Sequence, residues 1–385
     1  FFEELEYMIA RYKIDFLCLA DELFSVNARR VREFCQRIRD YDLRWWAQFR
    51  VDKVSEELLD LLKESRCEVM SFGLESADDR VLTSMKKFTT VAQMEKTLSM
   101  VHRAGLAFEG AFIFGDVEET WETAQNTLKW WRDHLQFKIT LNLITIYPGT
   151  PLYHHACEKG IITDRVKFLC DGCPQVNVSR LSDSEFGVLV RTILESPMEH
   201  LKRLGEVTVD GVDARTGRMD LSGTCQSCGQ RGHWNKVKAF ASSFVACDCG
   251  QRYNATLPPA LLETIGTNFR SLLDLSGKVA VWGINHHGVN LFKNVPELQD
   301  NGIFPVDISS TKQMMNLFGQ RIHPPTVIDR EEIVTVVIAI PEYANEISGR
   351  IRDNLPGVTN IINICALMEP DYLSTHRHQE VSVAG

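Results

Sequence analysis

Ser71-Phe72-Gly73-Leu74-Glu75-Ser76 closes a largely apolar run that follows Glu68 and opens onto Asp78-Asp79-Arg80-Val81-Leu82. Val, Met, Phe and Leu bounded by Gly and charged residues read as a strand, and the segment that follows reads as the start of a helix. A strand that exits on Gly, Glu and Ser sets flexible backbone beside an acceptor and a hydroxyl. The spacing therefore predicts a ligand-facing strand end.

The same rhythm recurs on both sides. I-D-F-L-C-L-A (14–20), L-R-W-W-A-Q-F-R (43–50), L-A-F-E-G-A-F-I-F-G (106–115) and I-T-L-N-L-I-T-I-Y (139–147) read as further strands, with amphipathic helices between them. Ser55, Thr90 and Thr120 stand where N-caps belong, and Gly105 where a helix should stop. An opening helix is expected to run to about Tyr12, and a charged helical segment from Asp183 to Leu204 closes the region. Strict strand–helix alternation implies parallel strands and right-handed crossovers, with ligands at the carboxyl ends of the strands. Those ends carry Asp21 and Glu22, Arg50, Glu75 and Ser76, Gly115 with Glu118 and Glu119, and Tyr147 with Pro148, Gly149 and Thr150.

The bulk composition fits a globular, multi-domain chain: 385 residues, 44% hydrophobic, formal charge −9. That charge argues against a general grip on phosphate backbones, so a nucleic-acid partner is not expected. No run of 18 apolar residues occurs, and the acidic start F-F-E-E-L-E lacks a leader's basic residues, so a cytoplasmic protein with no membrane partner is expected. The opening on Phe1 inside a helical pattern predicts a fragment of a longer protein.

D-E-L-F-S-V-N, F-R-V-D-K-V-S-E-E-L-L-D-L-L-K, F-G-L-E-S-A-D-D-R-V-L-T-S-M-K-K, G-A-F-I-F-G-D-V-E-E-T and I-Y-P-G-T-P-L-Y together resemble, in order and register, the strand-end motifs of radical S-adenosylmethionine enzymes. They are most similar to the branch that carries a cobalamin-binding domain upstream. The resemblance implies a partial (β/α) barrel that binds S-adenosylmethionine and, in the intact protein, a [4Fe-4S] cluster, with cobalamin as a further cofactor and a small molecule as substrate. It implies Asp21 and Glu22 near the methionine amino end, Glu75 and Ser76 on the ribose or carboxylate, and Gly110 to Gly115 along the adenine. Arg50 would meet an anion. Two departures stand out: no C-x-x-x-C-x-x-C occurs anywhere, and the usual Gly-Leu-Pro-Gly-Glu-Thr reads G-D-V-E-E-T. The expectation is an enzyme of this family, a methyltransferase by branch, inactive as this chain alone. The competing expectations are a non-catalytic scaffold with a degenerate barrel and an NAD(P)-dependent oxidoreductase.

Eleven cysteines include two close pairs, Cys225/Cys228 and Cys247/Cys249, each followed by Gly. Two such turns present four thiolates tetrahedrally, so a structural zinc ribbon is expected, against an iron–sulfur site or unligated thiols. His233 is the reserve ligand or a surface histidine. Cys157, Cys170 and Cys173 are an auxiliary metal cluster or loop cysteines.

K-V-A-V-W-G-I-N-H-H-G reads as strand, tight turn and helix, with Gly283, Asn285 and Gly288 in G-x-G-x-x-G spacing and Asp307 closing the next strand. The middle position is Asn rather than Gly, which narrows the approach of a pyrophosphate. This unit resembles the Rossmann-like module at the end of sugar C-methyltransferases. His286 and His287 are expected in the turn, either meeting a phosphate or, as the simpler reading, exposed to solvent. The expected domains are a partial radical S-adenosylmethionine barrel over 1–205, a zinc ribbon over 206–265 and a Rossmann-like domain over 266–385. The polar tail from Ser374 is expected to be loose.

Overall fold

The computed structural model describes residues 1–22, 24–137, 139–198, 202–241 and 244–373. The expected tail from Ser374 lies outside the described residues. The chain divides into two compact units, one of Phe1–Cys173 with Asn177–Leu181, the other of Pro174–Val176 with Ser182–Gly385.

The first unit alternates helix and strand: α1 (Phe2–Tyr12), β1 (Phe16–Leu19), α2 (Ala28–Ile38), β2 (Arg44–Phe49), α3 (Glu56–Glu64), β3 (Cys67–Glu75), α4 (Asp79–Ser84), α5 (Val91–Arg103), β4 (Ala107–Phe114), α6 (Trp121–Asp133), β5 (Thr140–Leu143), α7 (Pro151–Glu158) and α8 (Arg165–Cys170). Its strands form one five-stranded sheet in the order β1-β2-β3-β4-β5, and every pairing is parallel. This is the sequential order of a partial barrel.

Local chemistry sets the helix boundaries. The Ser55 hydroxyl accepts the Leu58 N–H, and Thr90 with Gln93 and Thr120 with Thr123 form reciprocal capping boxes. Gly105 turns the chain out of α5 at φ 75°. Trp45, Met70, Phe72, Phe112, Phe114, Leu98 and Trp131 are buried between the sheet and its helices. The Trp45 and Trp131 indole N–H groups donate to the Ser65 and Ile139 carbonyls, which lets both large rings be buried without a polar cost.

The first helix of the second unit is α9 (Asp183–Glu195), whereas the sequence pattern places it at the close of the first region. There Gly187 lies so near Met314 that a Cβ on it would stand 2.3 Å from the Met314 carbonyl oxygen. A three-stranded antiparallel sheet follows, β6 (Gly205–Asp213), β7 (Arg218–Thr224) and β8 (Arg231–Lys238), then a hairpin of β9 (Phe244–Ala246) and β10 (Arg252–Asn254).

After α10 (Pro259–Ser276) come β11 (Val279–Trp282), α11 (His286–Asn294), β12 (Ile303–Val306), α12 (Ser310–Gln313), β13 (Asn316–Leu317), β14 (Gln320–Arg321), α13 (Val327–Arg330), β15 (Thr335–Ile338), α14 (Ala344–Asn354) and β16 (Asn360–Asn363). The four long strands form a parallel sheet in the order β12-β11-β15-β16, with the direction of winding reversing at β11. All four residues of β11 and of β15 are buried, as expected for a sheet covered on both faces.

Candidate functional site

The carboxyl ends of β1 to β4 carry the polar row expected from the sequence, and most of its members already have partners. Asp21 follows β1 and pairs with Arg30 at 3.0 Å, in the wall of a cavity of about 670 Å3 that Phe1, Phe2, Leu19, Phe24 and Phe34 also line. Glu22 is exposed in the adjoining turn. Arg50 does not stand as a free cation: its Nε and Nη2 donate to the two carboxylate oxygens of Asp52 at 2.9 and 3.3 Å. Burial opposes the Asp52 charge, and the Arg50 guanidinium overcomes it, holding that carboxyl below the usual range.

Ser76 and Gly110 have structural work instead of open faces. Ser76 is only 1% exposed, its hydroxyl lies 3.0 Å from the Thr127 hydroxyl, and it accepts the Asp78 N–H. Gly110 makes room for Leu74, whose Cδ1 would lie 2.7 Å from an added Cβ. Gly115 sits at φ 108° and its N–H donates to Glu119 Oε2 at 2.5 Å. Glu119 is 1% exposed, and burial pushes its carboxyl up to about 7 even though the Gly115 N–H favours the charge.

Glu75 is different. A register shift between Gly73 and Glu75 breaks the β3–β4 ladder, and Glu75 adopts φ 64°, a left-handed conformation that costs a non-glycine residue about 1 kcal/mol. Its Oε1 accepts from Lys87 Nζ at 2.6 Å, with both side chains mostly buried. Strained backbone of this kind clusters at ligand-binding and active sites. Lys87 was missed in the sequence because M-K-K reads as the frayed end of a helix.

The second unit gathers Cys225, Cys228, Cys247 and Cys249, all four sulfurs within 4.8 Å of one another. Cys225 Sγ lies 3.6 Å from Cys249 Sγ, and Cys228 Sγ lies 3.5 Å from Cys247 Sγ. A tetrahedron with metal–sulfur bonds of about 2.3 Å has edges of about 3.8 Å, so the four thiols fit one metal ion. Gly229 and Gly250, at φ 75° and 86°, each close a turn by donating to the carbonyl of the first cysteine of its pair. The buried Tyr253 hydroxyl lies 2.9 Å from Cys225 Sγ and draws that thiol down to about 6. This is the one metal-competent group of three or more His, Cys, Asp or Glu side chains among the described residues, and it includes none of Cys157, Cys170 and Cys173. His233 is not a ligand: its Nδ1 faces Asp210 at 3.1 Å and its Nε2 faces Asn235 Oδ1 at 2.7 Å.

Gly283, Asn285, Gly288 and Asp307 come together at the winding reversal between β11 and β15, but the cradle is filled by the protein itself. Asn285 Oδ1 accepts the His287 and Gly288 N–H groups, the donors a phosphate would use. Asp307 Oδ2 accepts the Ile284 N–H at 2.9 Å and pairs with Lys312 at 3.0 Å, so it is not free for a ribose. The geometry does not favour the dinucleotide reading. His287 also corrects an expectation. It is 2% exposed rather than solvated, and burial pushes its imidazole down to about 3.

No family model matches the chain. It is 31% identical over 166 residues to an uncharacterized methyltransferase of Pyrococcus horikoshii, covering 42% of this chain and 35% of that protein. It is 28% identical over 170 residues to the anaerobic magnesium-protoporphyrin IX monomethyl ester cyclase of Rubrivivax gelatinosus, covering 43% of this chain and 31% of that one. Among solved structures, the radical S-adenosylmethionine methyltransferase TsrM of Kitasatospora setae, with cobalamin and a [4Fe-4S] cluster bound, is 20% identical. That match covers 40% of this chain and 31% of TsrM with a TM-score of 0.35. This chain resembles radical S-adenosylmethionine enzymes over part of its length. It spans about a third of the curated relatives it matches. No helix among the described residues is long and apolar enough to cross a membrane.

Proposed function

We propose that the first unit is the S-adenosylmethionine-binding part of a radical enzyme that methylates or cyclises a tetrapyrrole-type substrate. The observation that carries this reading is the 31% identity over 166 residues to an uncharacterized methyltransferase, supported by likeness to an anaerobic magnesium-protoporphyrin IX monomethyl ester cyclase. In this reading the strand-end acids bind the nucleoside and methionine ends: Glu75 meets the ribose, Asp21 and Glu22 the amino end, and the backbone from Gly110 to Gly115 lies along the adenine.

The [4Fe-4S] cluster does not fit this chain's own residues. The three-cysteine motif is absent from the sequence, and the described residues of the first unit bring no three cysteines together. No step is therefore routed through a cluster. The four-cysteine group of the second unit suits a structural zinc ion, since four thiolates close the coordination sphere and leave no position for substrate.

Calorimetric titration with S-adenosylmethionine tests the reading. One saturable site, weakened in Glu75→Gln, is expected; heat indistinguishable from dilution at millimolar ligand contradicts it.

A further inference from the structure

The contorted chain around Lys87 bears on how Glu75 is used. Between the end of α4 and the start of α5, Lys86 and Phe88 both adopt left-handed conformations, at φ 53° and 55°, with Lys87 between them. The Lys86 and Lys87 N–H groups fold back onto the Thr83 and Leu82 carbonyls, so the turn is fixed by its own hydrogen bonds. Phe88 is left 83% exposed by the same turn, although its side chain is large and apolar. Glu75, at the other end of the ion pair, is left-handed as well, at φ 64°. Gly73 completes the arrangement, because a Cβ there would stand 2.7 Å from Glu75 Oε1 and 2.8 Å from Lys87 Nζ. Three left-handed residues flank this contact, and the bare Cα of Gly73 leaves room for both of its charged groups.

We propose that Lys87 is a positioning residue: it clamps Oε1 of Glu75 so that Oε2 faces outward to accept a hydrogen bond from a ligand hydroxyl. Oε2 has no hydrogen-bond partner among the described residues, whereas Oε1 has Lys87. A mostly buried carboxylate with one oxygen fixed by a cation and the other without a partner is suited to a hydroxyl donor such as a ribose, because charge-assisted acceptors form the stronger bonds. The bland alternative is a tie that merely joins β3 to the turn after α4. Such a tie would stabilise the fold without affecting a ligand. The proposal rests on the S-adenosylmethionine reading for the identity of the ligand, but not for the geometry of the clamp.

Two measurements on Lys87→Met and Lys87→Arg, in the full chain, separate the possibilities. The first is calorimetric affinity for S-adenosylmethionine alongside the melting temperature. Lys87→Met is expected to bind about tenfold more weakly at a temperature well below its own, lowered, melting point, and Lys87→Arg to restore most of the affinity. The second is the NMR position of the Glu75 amide and side-chain carboxyl, which should move in Lys87→Met and stay near the wild-type position in Lys87→Arg. Wild-type affinity in Lys87→Met overturns the proposal, and so does a Glu75 signal that does not move. If the wild-type protein binds no S-adenosylmethionine, the ligand reading falls and the NMR measurement alone decides whether Lys87 positions Glu75.

Discussion

The sulfurs of Cys225 and Cys249, 24 residues apart in the chain, lie 3.6 Å from each other across two hairpin turns. With Cys228 and Cys247 they form a closed set of donors, and the buried Tyr253 beneath them fixes the Cys225 side. Zinc content is expected to be about one per chain, with metal–sulfur distances of about 2.3 Å by X-ray absorption. Cys249→Ser should lose the metal and expose the strands from Gly205 to Asn254 to proteolysis, because binding energy at such sites is folding energy. Retention of full zinc content in that variant would remove the four-cysteine assignment.

His287 predicts an acid-sensitive second unit. Its imidazole titrates near 6.5 in the unfolded chain and at about 3 when buried, so the native state binds fewer protons. Stability from this group is complete above about pH 6.5 and falls by roughly 1.4 kcal/mol per pH unit as the pH drops toward 3. His287→Phe should flatten that slope in urea unfolding between pH 7 and 4; an unchanged slope would mean another group is responsible.

Glu119 has the opposite sign. Its carboxyl, raised to about 7 by burial, stays protonated in the native state at pH values where the unfolded chain is ionised. Its contribution is complete below about pH 4.5 and is lost as pH rises to 7, costing on the order of 3 kcal/mol. Glu119→Gln keeps an acceptor for the Gly115 N–H and should raise unfolding stability at pH 8 while changing little at pH 4. Equal effects at both pH values would count against a buried neutral acid.

Gly187 tests where the helix Asp183–Glu195 belongs. Since an added methyl would meet the Met314 carbonyl oxygen at 2.3 Å, Gly187→Ala should destabilise the second unit by roughly 1–3 kcal/mol. An unchanged unfolding midpoint would show that this helix does not pack tightly there.

The strands were legible because each is a short apolar run between helices with matching caps: Ser55, Thr90 and Thr120 all accept the expected N–H groups. The four-cysteine group was legible from spacing alone, since each pair sits on its own Gly-ended turn. Side-chain pairing was not. Arg50 looked like a cation for a ligand, yet Asp52 two residues later accepts from its Nε and Nη2. Ser76 looked ligand-facing, but its partner Thr127 is 51 residues away on α6. Lys87 and the burial of His287 depend on left-handed turns and tertiary packing, which hydrophobic periodicity does not encode.

The most direct test of the central claim is amide hydrogen exchange across the whole chain with and without saturating S-adenosylmethionine. Slower exchange is predicted at the strand ends around Asp21, Glu75 to Phe88 and Gly115 to Thr120, with the second unit unchanged. Protection confined to the turn from Gly283 to Gly288, or no protection anywhere, would contradict an S-adenosylmethionine site in the first unit.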